Sequence, residues 1–231
     1  MLSRLLKASA IVVGVGLVAG CAVTPLKMGA AAVVGSQRIS IAHLDSEVTN
    51  LSRAVKQYPG FANLTATEQT QATLGWLIRY QVYEELARQH GITISAAQAQ
   101  QALDSAVSQA EAAAEQQRGL TKVSQTEILA ASGIPPDTAT ELGRFEAIVN
   151  QFLIIANGGT APAQGSSAQS AAGNKLNQAQ CQAVKALNIQ VNPQFGQLDY
   201  TQLQVVDSPA TVTRSQGPIQ SASPVATAPA C

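Results

Sequence analysis

The chain has 231 residues, with fourteen Lys and Arg against fourteen Asp and Glu, and charged residues make up only 12 % of it. That balance supplies no clustered cations to displace counterions, which argues against nucleic-acid binding. Two histidines, His43 and His90, and three cysteines are the whole stock of soft ligands, which argues against a Cys/His zinc centre and a histidine-based triad.

Residues 1–20 read as a targeting segment. Arg4 and Lys7 form a positive n-region, and an uncharged, largely apolar run from Ala8 to Gly20 follows. That run is short for a bilayer span and the right length for a signal-peptide core. It ends in Val18, Ala19, Gly20 and Cys21, the pattern of a bacterial lipobox. Small side chains admit the peptidase, and only the Cys21 thiol can carry a thioether-linked diacylglycerol. The competing reading is an ordinary secretory signal that happens to contain a Cys. Cleavage leaves twelve cations against fourteen anions, and the mature protein is expected to be anchored to a membrane without spanning it.

Forty residues are Ala and 26 are Gln, against nine aromatics, a composition of good helix formers with little core volume. After a tether over 21–30, Ala31–Val34 and Arg38–Ile41 flank Gly35 and Ser36, which predicts a small β-hairpin. A helix is expected from Ala42 to Tyr58, with Leu44, Val48, Leu51 and Val55 on one face and Pro59 and Gly60 ending it. Thr65 and Glu68 form a capping box for a helix reaching His90, closed by Gly91. That helix carries two stripes: Leu74, Leu77, Ile78, Val82 and Leu86 on one side, Trp76, Tyr80 and Tyr83 nearly opposite. A helix apolar on two sides lies between layers or lends one side to a ligand.

Further capping boxes at Ser95/Gln98 and Ser124/Glu127 open a helix to Gln117 and a short one stopped by Gly133. Pro135 and Pro136 force an extended link, and Asp137 is expected to cap a helix reaching Ala156 that buries Leu142, Phe145, Val149 and Phe152, together with Ile148 and Ile155. Residues 158–173 read as a flexible linker. A helix over 174–187 follows, then short strands at Ile189–Val191 and, more weakly, Gln202–Val206. Residues 207–231 are Pro, Ala, Ser and Thr rich and read as a disordered tail.

Several segments then resemble one family. Ala31–Gly35 followed by Ile39-Ser-Ile41 is similar to the opening of SurA-type extracytoplasmic chaperone domains. LARQHGITIS, from Leu86 to Ser95, looks like that family's junction between second and third helices. NIQVNPQFG, from Asn188 to Gly196, resembles the ending of small SurA-like lipoproteins, with Gln194 and Phe195 where a basic residue and Tyr are usual, and Gln37 where the hairpin often has Glu. The resemblance covers roughly Ala31 to Val206. It implies a mainly α fold, a SurA N-terminal-like helical domain with a small β-sheet formed by the N-terminal hairpin and a C-terminal strand. The organisation is then signal peptide 1–20, tether 21–30, helical domain 31–157, linker 158–173, closing helix and strand 174–206, and tail 207–231. Relatives often carry a parvulin-type prolyl isomerase of roughly ninety residues between the helices and the closing segment. A sixteen-residue linker cannot hold one.

The implied partners are unfolded or exported polypeptides, with the membrane reached through the lipid on Cys21, and neither cofactor nor small-molecule substrate. Trp76, Tyr80 and Tyr83, with Phe145 and Phe152, are the side chains that would line a groove for extended chain. The bland alternative is that the stripe packs as core beneath the helix ending at Ala156. The expected outcome is a division, with Tyr80 or Tyr83 packed and Trp76 partly exposed at the groove edge. Catalysis is not expected: His43 and His90 sit at helix ends, and the adjacent Glu84 and Glu85 point some 100° apart and cannot face each other. With Cys21 acylated, Cys181 and Cys231 are left to pair in an oxidising compartment, unless Cys181 is plain core. Closing that loop is worth about 4 kcal/mol in the chain-entropy account. The rival functional reading is a structural or adaptor lipoprotein that docks one envelope partner.

Overall fold

A computed structural model describes residues 28–58, 63–118 and 123–208. The signal segment, Cys21, Pro59, Gly60, the tail after residue 208 and Cys231 lie outside the described residues. The order is β1 (Ala30–Val34), β2 (Gln37–Ser40), α1 (Ile41–Gln57), α2 (Ala66–Gln89), α3 (Ala96–Arg118), α4 (Gln125–Ala131), α5 (Ala139–Ala156), α6 (Ser167–Leu187), β3 (Gln190–Val191), β4 (Gln197–Asp199) and β5 (Gln204–Val206). The protein is mainly helical with small antiparallel sheets, as its composition and capping signals imply.

The helix starts follow from side-chain chemistry. Ser40 Oγ accepts from the His43 backbone N–H at 3.1 Å and opens α1. Thr65 and Glu68 bond reciprocally, Glu68 N–H to Thr65 Oγ1 at 3.3 Å and Thr65 N–H to Glu68 Oε2 at 2.7 Å. Ser95 with Gln98, and Ser124 with Glu127, repeat the arrangement at α3 and α4.

Two boundaries differ from the sequence expectation. Asp137 does not cap α5; it lies in a 3-10 turn, Pro136–Thr138, that runs straight into the helix. Pro136 sets the turn's first φ, and the Asp137 carboxylate instead accepts from Asn50 Nδ2 of α1 at 2.6 Å. The segment 158–173 is only half linker, because α6 begins at Ser167. Ser166 Oγ accepts from the Gln169 N–H at 3.1 Å, while Gln169 Oε1 accepts from the Gly165 N–H at 2.6 Å. The buried stripe of this early turn begins with Ala172, which a search for large apolar residues passes over.

Helix α2 lies at the centre, against β1, α1 and α6 and also against α5 and β5. Leu74, Ile78, Val82 and Leu86 are wholly buried, each worth about 1.5–3 kcal/mol relative to exposure. The chain ends meet on the three-stranded sheet, ordered β2-β1-β3, where Ala32 faces Val191 and Val33 faces Gln190. Asn188 takes the left-handed conformation (φ 41°) that ends α6 and turns the chain toward β1. Asn192 then clamps the strand, its N–H donating to Ala31 O at 2.8 Å and its Nδ2 to Ala30 O at 3.1 Å.

Helix α3 lies closely along α5, and Gly143 is the reason they approach so near. A Cβ there would collide with the Ala99 carbonyl oxygen and stand 3.0 Å from Leu103 Cβ. Gly143→Ala gains helix propensity but overpacks this seam, so it should lower stability by about 1–3 kcal/mol. Denaturant melts decide the point; an unchanged or raised midpoint would show that the seam has slack.

Candidate functional site

The aromatic residues singled out in the sequence form one cluster between α2 and α5. Trp76 meets Phe145 edge-on at 5.6 Å between centroids, and Phe145 meets Tyr83 at 4.5 Å. Tyr80 lies 6.4 Å from Trp76, tilted by 34°. Phe152 sits one end of α5 further on, edge-to-face with His90 at 4.9 Å. His90 is also the residue at which α2 ends.

Tyr83 is packed, as one half of the expected division has it, but Trp76 is buried rather than partly exposed. Trp76 is 4 % exposed and Tyr83 7 %, whereas Tyr80 and Phe145 are only partly buried. Trp76 is pinned because its indole N–H donates to Thr138 Oγ1 at 2.9 Å, and that hydroxyl donates to Pro135 O at 2.8 Å. Thr138 comes from the turn before α5, which the sequence reading treated as a cap and a link. Tyr83 OH donates to Gln180 Oε1 of α6 at 2.9 Å. A buried indole or phenol needs such a partner, and the partners lie 62 and 97 residues away along the chain. Trp76, Tyr83 and Phe152 are therefore core, and an aromatic groove with Trp76 at its open edge is not the arrangement found.

Two open clefts nevertheless flank Trp76. One, of about 360 Å³, lies between α2, the turn after α4 and β5, and is lined by Leu64, Ala72, Arg79, Gly133, Ile134 and Val205 among others. Burial lowers the Arg79 pKa, and the guanidinium donates to the Gln202 carbonyl at 3.3 Å. The other, of about 330 Å³, lies between β2, α1, α2 and the start of α5. Tyr80 faces it, with its hydroxyl pKa pushed up to about 12 by burial and by neighbouring Glu84. Glu84 itself grips Arg144 of α5 through both carboxylate oxygens, and Arg144 Nη1 reaches Ile94 O at 3.2 Å. The pair fastens α5 to α2.

Among the described residues no group of three or more His, Cys, Asp or Glu is placed to hold a metal, and no helix is long and apolar enough to cross a membrane. Cys181 on α6 is half-buried and takes part in a disulfide. Both other cysteines, Cys21 and Cys231, fall outside the described residues. Comparison of the chain with protein-family models, with curated proteins and with solved structures finds no match.

Trp76→Ala removes a buried ring and the indole donor to the Thr138 hydroxyl, so it should cost about 3–5 kcal/mol. A denaturant midpoint within error of the parent would refute the core assignment. Glu146 on α5 supplies a pH test. Burial raises its carboxyl pKa above the usual range, so the folded state disfavours the charged form. The folded value lies above the unfolded one, hence this group's relative stabilisation is complete below the unfolded pKa and is lost as pH rises through the folded pKa. Glu146→Gln should therefore gain on the parent as pH rises from 4 to 7, read as a growing difference in melting temperature. A difference that stays constant with pH would contradict the burial argument.

Proposed function

We propose that the protein is a lipid-anchored, extracytoplasmic chaperone-like module that holds unfolded or exported polypeptides, without prolyl isomerase activity. The observation that carries this reading is the pair of clefts on either side of Trp76. Their walls mix apolar side chains with amides, carboxylates and a guanidinium. Such walls suit single side chains of an extended polypeptide better than one large apolar ligand. The fold adds support. Hairpin, helical layer and returning strand follow in the order that the SurA-type resemblance implies, although fold alone does not specify function. The connection between α5 and α6 is only residues 157–166, far too short for an inserted isomerase domain.

Anchoring follows from the lipobox reading. Eight residues, 22–29, separate Cys21 from β1, and fully extended they reach about 28 Å. The sheet that joins β1 to β3 would thus ride close to the lipid surface.

The mature protein should suppress aggregation of several unrelated denatured proteins at near-equimolar ratio. It should not accelerate X-Pro isomerisation in a short peptide above a heat-killed control. Failure against every client, alongside tight capture of one folded envelope protein, would select the adaptor reading instead. Cys21→Ser should abolish membrane fractionation; a variant still processed and membrane-bound without acyl chains would overturn the anchor.

A further inference from the structure

The cleft between β2, α1, α2 and the start of α5 is lined by a carboxylate with one oxygen unpartnered. Glu47 is 9 % exposed, and its Oε2 has neither solvent nor a hydrogen-bond partner. Its Oε1 lies 3.8 Å from His43 Nδ1, beyond hydrogen-bonding range. A buried carboxylate oxygen without a donor is costly and rare in a settled core. Glu47 also lines the cleft, and a rotation of its carboxylate would turn the sealed Oε2 toward a donor entering there.

The rest of the lining selects the donor's charge and shape. Asp137 and Glu141 join Glu47, giving three carboxylates, against the guanidinium of Arg38 and the imidazole of His43. Arg38 Nη2 is engaged with the Gly29 carbonyl at 3.2 Å and makes no ion pair with Glu47. Trp76 and Tyr80 line the same cleft, and their rings lie 6.4 Å apart. Rings beside carboxylates favour a cation carried on an apolar stem. The carboxylates are not grouped to hold a metal ion, which leaves an organic cation.

The geometry points to a binding pocket for one Lys or Arg side chain of an extended polypeptide, whose N–H groups are received by Glu47 while its stem lies along Trp76 and Tyr80. A volume of about 330 Å³ accommodates one such side chain and excludes a folded element. The source of the side chain rests on the polypeptide-binding reading; the preference for a cation does not. Gln37, Arg38 and Ile39 of β2 also line the cleft. Because β2 is an edge strand, an extended chain has backbone to pair with beside the pocket.

Trp76 is the only Trp in the chain, so its fluorescence reports on the pocket, with titration calorimetry in parallel. The full chain is titrated with n-butylguanidinium, with its neutral isostere n-butylurea, and with the capped peptides acetyl-Gly-Arg-Gly-amide and acetyl-Gly-Gln-Gly-amide. Saturable binding of the guanidinium and the Arg peptide is expected, with both neutral probes at least tenfold weaker. Glu47→Gln should weaken both cations by about tenfold or more. Glu141→Gln, at a partly exposed position, should weaken them severalfold and decides the matter if the first variant does not fold. Equal binding of charged and neutral probes, or no saturable response by either method, overturns the pocket. Binding of n-butylguanidinium without the Arg peptide keeps the cation pocket and overturns the polypeptide as its source.

Discussion

Helix α2 is apolar on two opposite sides, and the remaining architecture exists to cover both. β1, α1, α5, α6 and β5 all pack against it, and the aromatic side meets both α5 and α6. Such a helix cannot form part of a two-layer bundle with a wet outer face, because either stripe alone would expose several large side chains to water. The long-range partners follow from that demand. Trp76 needs Thr138, Tyr83 needs Gln180, and Glu84 holds Arg144, so α5, the turn before it and α6 are each registered against α2 by a polar contact as well as by packing. Deleting any one of these elements would strand one side of the central helix.

The second constraint is closure. A two-stranded hairpin is marginal in water, and here β3 supplies the third strand from 160 residues downstream of β1. Two residues of pairing are little on their own. Asn192 compensates by placing both its backbone and its side-chain N–H on consecutive carbonyls of β1, and Gly35 N–H bonds the Leu187 carbonyl at 2.6 Å. Pairing the first strand with a segment so distant in sequence is non-local closure, the kind of contact that slows folding.

Most of this was legible where chemistry is local. Capping boxes at Thr65, Ser95 and Ser124 announce helix starts because donor and acceptor lie three residues apart, and all three are formed. The strand Ile189–Val191 was legible because the hairpin required a partner and few alternating segments remained. What escaped reading depends on distance or on small residues. The first turns of α6 are Ser, Ala and Gln, a composition shared with linkers, and only Ser166 with Gln169 signals a helix there. The burial of Trp76 is set by Thr138, 62 residues away along the chain, and nothing in the sequence between them points to that bond. Glu47 reads as a solvated position on an amphipathic helix until β2 and the turn at Pro136 are folded over it.

The Ala-rich composition connects these observations. Small side chains let α3 and α5 approach until Gly143 is required, and they pack the base of α6 through Ala172, Ala179 and Ala183. A core built this way is dense along helix seams but has little volume to spare where three or four elements meet. The two clefts occur at such junctions, one beside the turn after α4 and the other beneath the edge of β2. Filling them would take a few larger apolar residues, a change that commonly stabilises a protein. Instead the junctions carry Arg79 in one and Glu47 in the other, both partly or wholly withdrawn from water and poorly matched by their own fold. Cavity-filling of either cleft would trade those polar groups for packing.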